Sequence, residues 1–442
     1  MSSSRSEIAK ALGSAFLAGP WEPDAMAARA LHVLDQPRLR WPRRVAAAIH
    51  QAHPRPPLDA PRMLAAVIER ELPEAARAAA VRRWTPFEPA MGRAPWPVLE
   101  LASPADLAQR LELDIGQLEW LADARSLERT VAAERLRNYR YRWQARAGAL
   151  PRLIEQPKAR LMESQRIVLR EILDAVPPHD AAHGFRPGRS VRTHAEAHVG
   201  AAVVMRFDLE DFFASVGPGR VWAIFRAAGY PEAVAHALTA LCTNVLPQHE
   251  WAALPAPDGP VSLIARHRRL GRRLAAPHLP QGAPASPALA NLAAFALDVR
   301  LSAYAQSFGA RYTRYADDLA FSGDRRLLRA APRLREAVAA IARDEGFALH
   351  PDKSRLMTRA GRQTLCSVLV NDRLNVPRDE YDRLKAILHE ALHDGLDAAN
   401  RDGVPEFRAH LEGRIAWVAS LNPGRGRRLR ERLAAVAGTR SP

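Results

Sequence analysis

Apolar positions change their period several times along the chain. "APRMLAAVIEREL" (60–72), "IGQLEWLADA" (115–124) and "ARLMESQRIVLREILDAV" (159–176) place them three and four apart, the repeat of a helix with one buried face. "SPADLAQRLEL" (103–113) opens on Ser-Pro, a helix start. "LPRLIEQP" (150–157) reads as a strand, and "AAVVMRFDL" (201–209) as a buried strand ending in Asp208. "SPALANLAAFALDVRLSAYAQSFG" (286–309) predicts one helix, with Ser286 as N-cap, Pro287 at the first position and Gly309 as stop. In "RYTRYADDLAFSG" (311–323), aromatic and β-branched flanks enclose a polar centre, which predicts a β-hairpin with Asp317 and Asp318 at its tip. Residues 245–280, with their prolines and the run "RHRRLGRR" (266–273), read as a loop insertion. Two helices are expected over 378–394 and 405–420.

The first 120 residues alternate short helical patterns with proline breaks at "PRPP" (54–57) and "PFEPAMGRAPWP" (86–97). Five of the nine tryptophans lie there, Trp21 through Trp120, so a folded segment is expected. A length of 442 residues holds two or three domains. The 64 Lys+Arg exceed the 48 Asp+Glu by 16, and a balance that basic points to a polyanion, nucleic acid before a membrane surface. Cys242 and Cys366 form no metal spacing and read as buried thiols in a reducing cytoplasm. The N-terminus lacks a signal-peptide core, and the most apolar stretch, 283–299, contains Asn291 and prolines. A cytoplasmic protein with no membrane partner is therefore expected.

An Asp-Asp pair in a turn is ordinary, because aspartate hydrogen-bonds its own backbone there. Asp208 at the end of an apolar strand changes this. Three carboxylates at contact distance cannot all stay ionised without a counter-charge. Two Mg²⁺ ions about 3.5–4 Å apart are the usual solution where phosphoryl groups are transferred, and hard oxygen ligands suit that ion.

"FDLEDFF" (207–213), "LPQGAPASPALANL" (279–292), "YADDLAF" (315–321) and "HPDKSRL" (350–356) resemble, in order and spacing, the motifs of a reverse transcriptase. The resemblance runs from about 125 to 435 and is nearest to the bacterial retron type. It implies an α+β right-hand polymerase: a helical N-terminal extension of unknown role (1–120), fingers (121–205), a palm with an antiparallel sheet and the catalytic aspartates (206–375), and a basic helical thumb (376–442). It implies that Asp208, Asp317 and Asp318 hold two Mg²⁺. It places Phe213 under the sugar, where an aromatic ring rejects a 2′-OH. Gln281 and Gly282 would meet the incoming nucleotide, and Arg146 and Arg152 its triphosphate, which guanidinium suits by bidentate contact. Lys353 is one of only four lysines, with Lys10, Lys158 and Lys385. An ammonium can give a proton to departing pyrophosphate; a guanidinium, with its very high pKa, cannot.

Two segments bear on the retron type. "HAEAH" (194–198) matches Asn-Ala-x-x-His at Ala195 and His198, with His194 in place of asparagine. The His pair has the i, i+4 spacing of a zinc site but no evident third ligand. In "LCSVLVNDRLNVPR" (365–378), the tail resembles the retron pattern, while Leu365, Cys366 and Ser367 replace its Val-Thr-Gly. His198, Asn371 and Asn375 are candidates for RNA recognition. The resemblance implies a structured noncoding RNA as template and primer, dNTP substrates, a cDNA product and an effector protein in antiphage defence. The replaced triplet leaves open another defence-associated or group II intron-like enzyme without branched priming. A non-catalytic RNA-binding scaffold is the third reading.

Overall fold

The helical periodicity of the first seventy residues is realised as four helices, Arg5–Leu17, Pro23–Leu34, Trp41–Ala52 and Pro61–Glu71. Three of them carry proline in the first turn, where no N–H is needed. The first begins in a capping box in which Ser4 and Glu7 each accept the other's backbone N–H. Ile8, Leu12, Phe16, Met26, Ile49 and Leu64 are fully buried in their common core. Two arginines satisfy carbonyls that helix ends leave unpaired. Arg5 donates to the carbonyls of Glu69, Leu72 and Pro73, and Arg29 to those of Ala15, Phe16 and Pro20.

The structure is a computed structural model that describes residues 3–146 and 148–438. It divides into two units, each built from two stretches of chain: Met1–Pro177 with Phe213–Leu289, and Pro178–Phe212 with Ala290–Pro442. In the first unit the N-terminal helices are fastened to residues far along the chain. The Glu232 carboxylate accepts the N–H groups of Arg62 (2.8 Å) and Met63 (3.1 Å), capping the fourth helix. Arg226 pairs with Asp59 at 2.7 Å, and the Tyr230 hydroxyl donates to the Leu99 carbonyl at 2.7 Å.

The same unit holds an antiparallel pair, β1 (Tyr139–Gln144) and β2 (Arg152–Pro157). Its inner face carries Trp143 and Leu153 onto Leu150, Leu246, Leu270 and Leu274. The last two belong to a helix, Val261–Leu274, inside the stretch expected to be a loop. Apolar residues at 263, 270 and 274 follow a helical repeat that the intervening arginines obscure. The helix expected over 159–176 ends at Glu171 and is followed by a short 3₁₀ turn, Leu173–Ala175.

The second unit is built on a four-stranded antiparallel sheet in the order β4-β5-β3-β6, with β3 Val203–Asp208, β4 Arg311–Tyr315, β5 Asp318–Gly323 and β6 Arg355–Thr358. The β4–β5 hairpin is the one expected from "RYTRYADDLAFSG". Period-2 alternation splits the central strand. On one face Val204, with Ala320, joins a core shared with Leu365, Val368, Leu384, Leu411 and Val418. On the other, Phe207 and Tyr312 pack against Phe321. Helices Phe295–Ser307 and Arg326–Asp344 pack on the strands. The single helix expected over 286–309 is two, Ser286–Ala293 and Phe295–Ser307, interrupted at Ala294. The expected C-terminal helices are Arg378–Asp394 and Phe407–Leu421, and a third, Pro423–Gly438, carries the basic end. No helix of the described residues is long and apolar enough to cross a membrane.

Candidate active site

Asp208 ends β3 and Asp318 begins β5, and the two are direct partners in the antiparallel register. Side chains of such partners leave the same face of a sheet. Arg206, two residues before Asp208, shares that face. Its Nε and Nη2 both lie 2.8 Å from Asp318 Oδ1. The Cys366 thiol donates to Asp318 Oδ2 at 3.3 Å. Burial, and then Asp318, push that thiol's pKa up, so it stays protonated and remains a donor.

Beyond Asp208 the strand pairing continues along residues 348–350. Leu209 bridges Leu349, the Glu210 N–H donates to the Ala348 carbonyl, and the His350 N–H donates to the Asp208 carbonyl, each of these bonds at 2.7 Å. This pairing delivers the loop that carries Lys353, whose Nζ lies 2.7 Å from Asp208 Oδ1. The Asp317 carbonyl accepts the Leu209 N–H at 2.8 Å. Burial pushes the Asp317 carboxyl up to about 6, and the charges of Asp208 and Asp318 push the same way, while Lys353 opposes them.

Among the described residues, no three His, Cys, Asp or Glu side chains converge into a ready-made metal cage. The donor set suits Mg²⁺ in another way. Asp208 and Asp317 offer hard oxygens whose mutual repulsion a divalent cation would relieve, and this ion completes its shell with water and phosphate oxygens. Asp318 lies beside them, its two oxygens accepting from Arg206 and Cys366.

The other expected residues fall in two groups. In the first unit, Arg146 is exposed in the β1–β2 loop, and Arg152 stands opposite Gln144. Gln281 and Gly282 are strapped to β2: the Glu155 N–H donates to the Gln281 carbonyl at 2.9 Å. Gly282 has φ +129, and a Cβ there would meet the Glu155 carbonyl at 2.9 Å, so only glycine fits. Phe213 is half-buried. In the second unit, His198 is fully buried and its two ring nitrogens meet the Ser322 hydroxyl (2.7 Å) and the Thr313 hydroxyl (2.8 Å). The same Thr313 hydroxyl lies 2.6 Å from His194 Nδ1. Burial holds His198 down to about 3 and His194 well below its ordinary value, so both are neutral. Asn371 binds the Gln363 N–H and the Gly361 carbonyl, and Asn375 accepts from Arg425. Of the three candidates for RNA recognition, His198 is buried, while Asn371 and Asn375 are partly buried.

Sequence reasoning missed Arg206 and Cys366. Strand parity would have found Arg206, since residues two apart on a strand share a face. Nothing in the sequence places Cys366 against Asp318.

The family model described as reverse transcriptase (RNA-dependent DNA polymerase) matches residues 149–385. The retron Mx65 reverse transcriptase of Myxococcus xanthus is 38% identical over 330 residues, which are 74% of this chain and 70% of that protein. The retron Mx162 enzyme of the same organism is 34% identical over 360 residues, 77% of this chain and 68% of that protein. The retron Ec86 reverse transcriptase of Escherichia coli is 29% identical over 279 residues, 63% of this chain and 74% of that protein. The match spans more than half the chain and covers both aspartate-bearing strands. With two retron relatives above 30% identity, the chain belongs to the reverse transcriptases, RNA-directed DNA polymerases, of the bacterial retron type.

Proposed function

We propose that the chain copies a structured noncoding RNA, which also supplies the primer, into a short single-stranded DNA that remains joined to RNA. The reaction takes place in the bacterial cytoplasm and serves antiphage defence together with an effector protein. The observation that carries the reading is the convergence of Asp208, Asp317 and Lys353 at the end of β3, in a chain of this family.

Asp208 and Asp317, with Asp318 beside them, would hold two Mg²⁺. When bound, the ions activate the primer hydroxyl and stabilise the leaving pyrophosphate. Lys353 carries the proton that the pyrophosphate takes up. Arg206 keeps Asp318 in place as the partner of Asp208 across the strands. Arg146 and Arg152 receive the triphosphate, Gln281 and Gly282 line the nucleotide's approach, and Phe213 rejects a 2′-OH.

The test is the nucleic acid that co-purifies with protein expressed beside several hundred bases of its native upstream flank. A discrete single-stranded DNA, absent from Asp317→Asn and shifted by debranching enzyme, is the expected result. A second reading is favoured by one observation. Cys366 and Ser367 form the turn where Val-Thr-Gly is expected, and the Cys366 thiol donates to Asp318. A DNA insensitive to debranching would support that reading, a reverse transcriptase with another primer. No DNA from the cells, and no extension by purified enzyme given primed RNA and Mg²⁺, would leave an RNA-binding scaffold.

A further inference from the structure

Arg314 is the penultimate residue of β4, three residues before Asp317, and is completely buried. So is Asp298, on the helix Phe295–Ser307, and the two form a bidentate pair: Nε to Oδ1 at 2.9 Å and Nη2 to Oδ2 at 2.6 Å. A buried ion pair is a poor way to gain stability, since well-packed apolar groups in its place are often neutral or better. The guanidinium also does something an apolar group cannot. Its Nη1 donates to the Asn291 side-chain oxygen (2.9 Å) and to the carbonyl of Ala316 (3.1 Å).

Ala316 is the residue immediately before Asp317, and its φ is +55. A non-glycine residue persists in the left-handed region only where its surroundings over-determine it. Here they do. Asn291 Nδ2 donates to the Gly184 carbonyl at 2.8 Å. Gly184 in turn lies so close under the turn that a Cβ on it would come within 2.8 Å of the Ala316 nitrogen. Arg314, Asn291, Gly184 and Ala316 thus close a ring beneath the turn. On its far side the Asp317 carbonyl is held by the Leu209 N–H.

We propose that Arg314, held by Asp298 and acting with Asn291 and Gly184, is a positioning residue that locks Ala316 in its left-handed conformation and so aims the Asp317 carboxylate. The inference rests on the reading that Asp317 is catalytic. A misplacement of about 1 Å at a reacting centre costs on the order of a hundredfold in rate.

The variant Arg314→Met/Asp298→Asn removes the guanidinium without stranding a buried charge, and the carboxamide oxygen it introduces can still accept the Tyr312 hydroxyl that now donates to Asp298 (2.8 Å). Its melting temperature, its Kd for a primed RNA template, and its kcat and KM for dNTP addition should be measured beside wild type. The expected result is a kcat down about 10- to 100-fold, with Kd and KM within about threefold and a higher Mg²⁺ requirement. Adding Ala316→Gly should restore part of the kcat, because glycine takes the left-handed conformation without a brace; a merely structural role predicts no such rescue. Arg314→Lys keeps the buried charge but loses the reach to Ala316. It should show the same loss and the same rescue, and it decides the matter if the double variant does not fold. Wild-type kcat in both variants, or a loss that Ala316→Gly leaves untouched, overturns the proposal. An active Asp317→Asn control would overturn the reading of the site itself.

Discussion

Replacing Asp317 by asparagine should make the metal-free protein more stable, although it removes a group assigned to catalysis. The carboxyl is moved from its ordinary value of 3.8 to about 6, by burial first and by Asp208 and Asp318 next. At 1.36 kcal/mol per pH unit, ionising it in the folded protein costs about 3 kcal/mol more than in the unfolded chain. The folded carboxyl keeps its proton to higher pH than the unfolded one. Stability is therefore lost as pH rises from about 3.8 to about 6, and the full penalty stands above that range. Asparagine carries no charge and escapes it. The variant's advantage should grow from about 1 kcal/mol at pH 4.5 to about 3 kcal/mol at pH 8. Asp208, Asp318, Lys353 and the buried histidines are common to both proteins and largely cancel in the difference. Urea unfolding in EDTA at the two pH values measures it. Mg²⁺ added at pH 8 should then raise the midpoint of wild type more than that of the variant. Equal stability of the two proteins at both pH values, or a gap that narrows as pH rises, would refute the reasoning.

Ser367 sits at φ +66 and Cys366 at φ +45 in the two-residue turn between Thr364–Leu365 and Val368–Leu369, a type I′ geometry that favours glycine. Ser367→Gly, the residue that closes the Val-Thr-Gly triplet, should stabilise by about 0.5–1 kcal/mol, read as a rise in the unfolding midpoint. Lys353→Arg should keep template affinity and lose about tenfold or more in kcat, because a guanidinium does not give up its proton; equal rates would end its role as donor. Phe213→Ala should admit ribonucleotides, seen as rNTP incorporation on a primed RNA template at an unchanged Kd for that template. Glu232→Ala should cost about 1–2 kcal/mol, since the N–H groups of Arg62 and Met63 lose their acceptor, and thermal melting would show it.

What was legible in the sequence followed from periodicity and from local chemistry. The hairpin carrying Asp317 and Asp318, the strand ending in Asp208 and the helix Arg378–Asp394 stand where the residue pattern puts them. The helix Val261–Leu274 was missed because prolines and a run of arginines hid a sparse apolar stripe. The break at Ala294 has no proline or glycine to announce it. At the site, residue types could be chosen but not their partners. The hydroxyls of Thr313 and Ser322 that His198 meets lie more than a hundred residues away in sequence, and no local pattern announces them. Asp298 did leave a sign, one carboxylate inside the apolar run "AFALDVRL", but only the fold shows that Arg314 is its partner.

The register of β3 has a consequence for synthesis of the protein. Asp208 pairs with Asp318, 110 residues later, and Val203 on its other edge pairs with Thr358, later still. At roughly 5–20 residues per second on a ribosome, β3 waits about 5–20 s before either neighbour exists. During that time "VVMRF" is a short apolar strand with both edges open, the kind of segment that pairs with other chains. The strand that carries Asp208 is thus left unpaired while the chain is still being made. Slower growth or added holdase chaperone during expression should therefore raise the soluble yield.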